Sequence, residues 1–175
     1  YSSAADNLSN PEDYRRMLDM LTGVRRDRLR DGKWVAAEGL VWDGYDASIH
    51  LLDRFEIPRE WRRVRVVDFG YTNPFVCQWW GVDPDGRAYR YREIYRTQRL
   101  VEDLARDIVD LSKGERIEAT VADHDAEDRA TLARHGVVTI AARKDISPGV
   151  QAVEARLRRQ GDGKPRMFFL RGSIV

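Results

Sequence analysis

The chain has 175 residues, enough for one domain with a sizeable core or a small domain plus an arm, and no second full-sized domain is expected. Thirty Lys and Arg against 29 Asp and Glu leave a formal charge of +1, which excludes steering toward nucleic acid or membrane by overall charge and shifts the weight to local clusters. One cysteine, Cys77, excludes an internal disulfide, no apolar run approaches the roughly 20 residues that cross a bilayer, and no signal-peptide layout is present, so a soluble, cytoplasmic chain is expected.

Residues 1–10 are polar and read as loop. Asn10 then offers an N-cap, Pro11 suits the first helical position, and Glu12 and Asp13 complement the positive end of the dipole, so a helix is predicted up to Gly23. A short helix over 24–30 follows, and Asp31-Gly32 turns the chain. Between Trp34 and Trp61 no period is sustained. Residues 1–60 are therefore read as a helical and extended connector arm with one or two short strands, with the boundary at Pro58–Arg62 and the main domain over 61–175. Two basic clusters, Arg15 to Lys33 and Arg156 to Arg171, read as solvated faces or phosphate contacts.

The second half has a clearer pattern. Val64–Phe69 and Phe75–Val82 are apolar, β-branched or aromatic runs joined by the turn-like "GYTNP". "DPDG" at 83–86 is a hairpin turn signal, and Arg87–Tyr95 returns as a third strand, making an antiparallel meander. An amphipathic helix follows with Leu100, Leu104, Ile108 and Leu111 on one stripe. Then come a strand at 119–122, a helix at about 126–134, a strand at 137–140, a helix from Ser147-Pro148 to about Gln160 with Ser147 as its cap, and a strand at 166–170. A meander followed by alternating helices and parallel strands implies an α/β domain with a mixed sheet covered on both faces.

Asp68 and Asp123 each end an apolar strand. In this order the first and fourth strands lie side by side and parallel, with both carboxylates at the carboxyl-terminal sheet edge where α/β sheets place their sites. Two acids converging there repel each other unless they share a cation or one is protonated. A divalent ion such as magnesium prefers oxygen ligands and retains waters, and a pair of ions about 4 Å apart clamps the two oxygens of a phosphodiester exchange. Taken alone, Asp68 before "FG" also reads as a turn opener. Asp125 is explained as the N-cap of the next helix with Asp128 at its third position, which leaves Asp123 unexplained. His124 and His135 read as surface or partly buried residues, Lys144 as loop, and Cys77 as a small core residue. No phosphate-cradling loop, G-x-S-x-G or Cys/His pairing is present, so nucleotide-loop and acyl-transfer chemistry have no support.

The segments "LTGVRRDRLRDGKWVAAEGLVWDGYD", "FEIPREWRRVRVVDFGYTNPFVCQWWGVDPDGRAYRYREIY", "VADHDAEDRATLARHGV" and "ARKDISPGVQAVEARL" carry a resemblance. In that order, over nearly the whole chain, they resemble the large terminase subunit of tailed bacteriophages. The resemblance implies a DNA-packaging motor with an N-terminal ATPase domain and a C-terminal nuclease domain of RNase H-like fold. That domain cuts concatemeric double-stranded DNA with Mg2+ or Mn2+ held at a two-metal site, and the family's partners are the portal protein and the small terminase subunit. Asp68 and Asp123 match the family's first and second acidic positions as catalytic metal ligands. The family's third acid has no counterpart after "FFLRGSIV", and Asp145 does not match its position, so a nuclease fragment with weak or absent cleavage is expected. The alternatives are a non-catalytic DNA-contacting or docking module of the motor, or a transposase- or integrase-like protein of the same fold.

Overall fold

The structure is a computed structural model that describes residues 44–143 and 145–175. The helices expected over 10–30, the basic cluster at 15–33 and Lys144 lie outside the described residues.

Strand β2 is the clearest product of the sequence. After a one-turn helix α1 (Ala47–His50) and a two-residue strand β1 (Leu51–Leu52), β2 runs over Arg62–Asp68 and alternates in burial, with Arg63, Arg65 and Val67 inward. That period of two is the signature of a strand with one face on a core. β3 (Phe75–Val82) pairs antiparallel with β2, and β4 (Ala88–Arg96) pairs antiparallel with β3. The β3–β4 link is the expected tight turn: Gly86 N–H donates to the Asp83 carbonyl at 3.0 Å, and Arg87 N–H donates to the Asp83 carboxylate at 2.8 Å. Gly86 has φ of 77°, a conformation that glycine adopts without steric cost.

Helix α2 (Val101–Leu111) buries Leu104, Ala105 and Ile108. Leu100, expected on the same stripe, precedes the helix at its N-cap position and is exposed. β5 (Ala119–Ala122) then lies parallel to β2, and α3 (Ala126–Arg134) follows. The strand expected at 137–140 is shorter and later: β6 comprises Ile140–Ala141, whereas Val137 is a fully buried core residue. Its amide donates to the Leu132 carbonyl at 2.9 Å, closing the end of α3 instead of joining the sheet. Helix α4 (Ile146–Leu157) begins one residue before Ser147, so Ser147 is not its cap. Asp145 occupies that position, and Pro148 sits in the first turn, where its missing N–H costs nothing. β7 (Met167–Leu170) completes the sheet.

The sheet has seven strands in the order β1-β7-β4-β3-β2-β5-β6. β3 is antiparallel to both neighbours and every other pairing is parallel, so β3 alone runs against the rest. One face carries the core, in which Phe75, Cys77, Trp79, Leu104, Ile108 and Leu132 pack together. On β7, Phe168 stacks on Tyr89 while the alternate residue Phe169 meets Trp80 and Tyr45, so β7 is covered on both faces. Over β2 the second face is more open, with Val66 42% exposed. The compact unit begins at Tyr45, and residues ahead of Pro58 contribute to it. β1 pairs with β7, and Ile57 is buried against Gly81.

Candidate metal centre

The register of two parallel strands builds this site. Val67 of β2 stands opposite Ala122 of β5, so the next residues, Asp68 and Asp123, reach the same sheet edge side by side. The Asp123 N–H donates to the Val67 carbonyl at 3.2 Å, which carries the ladder one step beyond β5. Asp68 is the last residue of β2 and is opposite Val76 of β3 on its other side. The carboxyl of Asp68 is held above the ordinary aspartate range, first by partial burial and then by the negative charge of Asp123. The two acids predicted to converge are therefore close enough to repel.

The loop after β2 keeps Asp68 at this edge. A Cβ on Gly70 would lie 2.5 Å from the Asn73 carbonyl oxygen and 2.7 Å from that of Pro74, so only glycine lets the chain fold back this tightly. Across the loop, Gln98 N–H donates to the Tyr71 carbonyl at 2.8 Å.

The acids that follow β5 divide their work. Asp125 caps α3, its Oδ1 accepting from the amides of Glu127 and Asp128 at 3.0 Å each, as the sequence predicted. Asp128 is raised above the ordinary range by burial and by Asp125 and Glu127. Asp123 Oδ1 instead accepts from the His124 amide at 2.6 Å. His124 Nδ1 also stands 3.5 Å from Asp123 Oδ1, so the histidine read as a surface or partly buried residue is partly buried and borders the site. No sequence signal separated it from an ordinary loop histidine. His135 follows α3 as its C-cap and joins no group of three or more ligand-type residues among the described residues. Cys77 is fully buried in β3 with its thiol pushed up to about 12 by burial, which leaves it inert as a nucleophile.

Two neighbouring carboxylates, one destabilised by the other's charge, form a donor set suited to a hard divalent cation, which would relieve the repulsion. Among the described residues, no group of three or more His, Cys, Asp or Glu comes together as a metal-ligand set. Asp145 stands at the N-cap position of α4 and makes no side-chain capping bond.

No protein-family profile matches the sequence, and no curated protein is similar to it at the level of sequence. Solved structures are. The large terminase of the thermophilic bacteriophage D6E superposes with a TM-score of 0.67 at 23% identity, covering 96% of this chain and 42% of that one. The P22 large terminase nuclease domain gives a TM-score of 0.62 at 12% identity, covering 77% of this chain and 73% of that one. The nuclease domain of the large terminase from bacteriophage SPP1, solved with bound Mn, gives 0.53 at 18% identity, covering 70% of each chain. The chain thus spans less than half the length of the D6E protein, and what the likeness establishes is its architecture: the RNase H-like mixed sheet of large-terminase nuclease domains.

Proposed function

We propose that this chain carries the metal-dependent endonuclease domain of a phage large terminase, cutting concatemeric double-stranded DNA during genome packaging. The observation that supports this most is the placement of Asp68 and Asp123 at one level on adjacent parallel strands of the RNase H-like sheet. The Mn bound to the SPP1 nuclease domain supports a divalent cation, Mg2+ or Mn2+, as the partner of these carboxylates. A bound divalent cation supplies positive charge that activates water and neutralises charge on a phosphodiester. Asp68 and Asp123 would hold it, with the Gly70 loop keeping Asp68 at the sheet edge and the Asp123 ladder bond setting the level of Asp123. On this reading the segment ahead of Tyr45 connects to the motor domain, and the portal protein and small subunit are the partners of the assembled motor.

The test is calorimetric titration of the chain with Mn2+, alongside plasmid nicking in Mg2+ or Mn2+. Asp68→Ala and Asp123→Ala are each expected to weaken Mn2+ binding at least tenfold, about 1.4 kcal/mol. With only two carboxylates assembled among the described residues, nicking by the parent chain is expected to be slow. Whatever nicking occurs is lost in Asp68→Ala. Mn2+ binding or cleavage unchanged in that variant would sink the assignment and favour a scaffold that contacts DNA without cutting it.

A further inference from the structure

A second charged site lies toward the opposite end of β2. A cleft of about 690 Å³ opens between residues 54–59, the start of β2 and the turn after α2. Arg63, in its wall, is five residues from Asp68, roughly 17 Å along the strand at about 3.3 Å per residue. Five cationic side chains line the cleft, Arg54, Arg59, Arg63, Arg92 and Lys113, against two carboxylates, Glu56 and Glu115.

Existing partners offset only part of this charge: Lys113 Nζ lies 2.8 Å from Asp110 Oδ1, on an exposed pair. Glu115 is already engaged by Arg92 at 2.8 Å and by the Tyr91 hydroxyl at 2.6 Å. Arg63 is 7% exposed, yet among the described residues its guanidinium finds only carbonyls, those of Ile57, Pro58 and Arg59 at 2.8, 3.0 and 3.1 Å and that of Trp61 at 3.5 Å, and its Nε has no acceptor there. Two residues further along β2, the buried Arg65 donates to the hydroxyls of Thr120 and Ser112, both at 3.0 Å. Among the described residues, these two buried guanidinium groups thus donate to neutral oxygens and to no carboxylate, which is a costly way to bury charge. The carbonyls ending α2 would disfavour an anion, but Arg92 donates to that of Leu111, and Ser112 N–H and hydroxyl to that of Ile108.

We infer that this cleft is a phosphate-binding site, with Arg59, Arg63 and Lys113 as its main contacts and Arg54 and Arg92 flanking them. Guanidinium forks match phosphate oxygens in pairs, and a phosphate in the cleft supplies countercharge to Arg63. The phosphate comes either from a free anion or from the backbone of a nucleic acid. The inference uses neither Asp68 nor Asp123, so it stands or falls separately from the nuclease reading.

The test uses the whole chain with EDTA present, so that no metal-bridged contact contributes. Arg59→Glu/Lys113→Glu reverses two charges; Arg59 is exposed, the Lys113 side chain is 75% exposed, and circular dichroism checks the fold. Inorganic phosphate and pyrophosphate are titrated by calorimetry, and a 20-base-pair duplex by fluorescence anisotropy at several salt concentrations. At least one probe is expected to bind and to lose at least tenfold in affinity in the double variant. Arg59→Lys/Lys113→Arg should retain binding. Binding of the small anions identifies a free phosphate as the ligand. Duplex binding alone, with a salt slope lowered by about 2 in the charge-reversed variant, identifies the backbone. No binding of either probe, or equal binding by parent and charge-reversed variant, overturns the inference.

Discussion

Strand β2 begins with arginines and ends with an aspartate, and the two ends treat charge in opposite ways. At the start, Arg63 is buried and spends its donors on backbone carbonyls of the preceding loop, so its charge holds structure together. At the end, Asp68 faces Asp123 and is pushed toward its neutral form, so its charge works against the fold. Groups that meet a ligand are commonly held at such a cost, and Arg63 bears part of it in its unpaired Nε, although carbonyls meet its other donors. The difference separates the roles of two charged residues that a pattern of alternating burial cannot distinguish.

The largest expected effect on stability lies at the arginine end. Arg63→Ala strips buried carbonyls of their donors and should lower the unfolding free energy by about 3 kcal/mol, read by urea denaturation. A loss below about 1 kcal/mol would mean that water replaces the guanidinium and that the two ends differ less than the structure implies. Gly70→Ala comes next, since its Cβ collides with the backbone of Asn73 and Pro74; a loss of roughly 2 kcal/mol is expected. Because that loop carries Asp68, weaker Mn2+ binding should accompany the loss, and stability lost with unchanged Mn2+ affinity would uncouple the loop from the site.

The smallest effect has the opposite sign. Asp68→Asn removes a like-charge neighbour and should raise stability at neutral pH by less than about 1 kcal/mol, since the group is largely exposed. The pH dependence follows from the raised carboxyl. The folded chain holds the Asp68 proton more tightly than the unfolded chain, for which the ordinary value is about 3.9. Its contribution to stability is therefore complete below about pH 3.9 and is lost as pH rises through the raised folded value. The advantage of Asp68→Asn should accordingly grow across that window and then level off, as thermal unfolding at a series of pH values would show. An advantage independent of pH would remove repulsion from Asp123 as its cause.

Much of the fold was legible because periodicity in a strand or helix reports burial directly. β3, β5 and α3 occupy the residues predicted for them, since each combines an apolar period with a turn or cap at its boundary. β6 was misplaced because Val137 is apolar for a different reason: it plugs the core below α3. β1 was not resolved from the irregular 34–61 segment, since two residues carry no period and its partner β7 lies more than a hundred positions away. The same distance hid His50, which is 1% exposed and has its Nε2 2.8 Å from the Leu157 carbonyl oxygen, tying α1 to the end of α4. The signal for the arginine cleft was present in "RRVRVVD", where Arg63 and Arg65 share parity with Val67, but the carbonyls that receive Arg63 come from a loop without a pattern.

By itself the sequence determined that two aspartates end apolar strands and that the strand order makes those strands parallel neighbours, because side-chain alternation and connection lengths are local properties. Only the tertiary structure decided that Val67 and Ala122 share a level, which sets Asp68 beside Asp123, and that Arg63 and Arg65 are buried with no carboxylate hydrogen-bond partner among the described residues. Register and burial depend on contacts between residues far apart in the chain, and their free energies are summed only when the sheet closes.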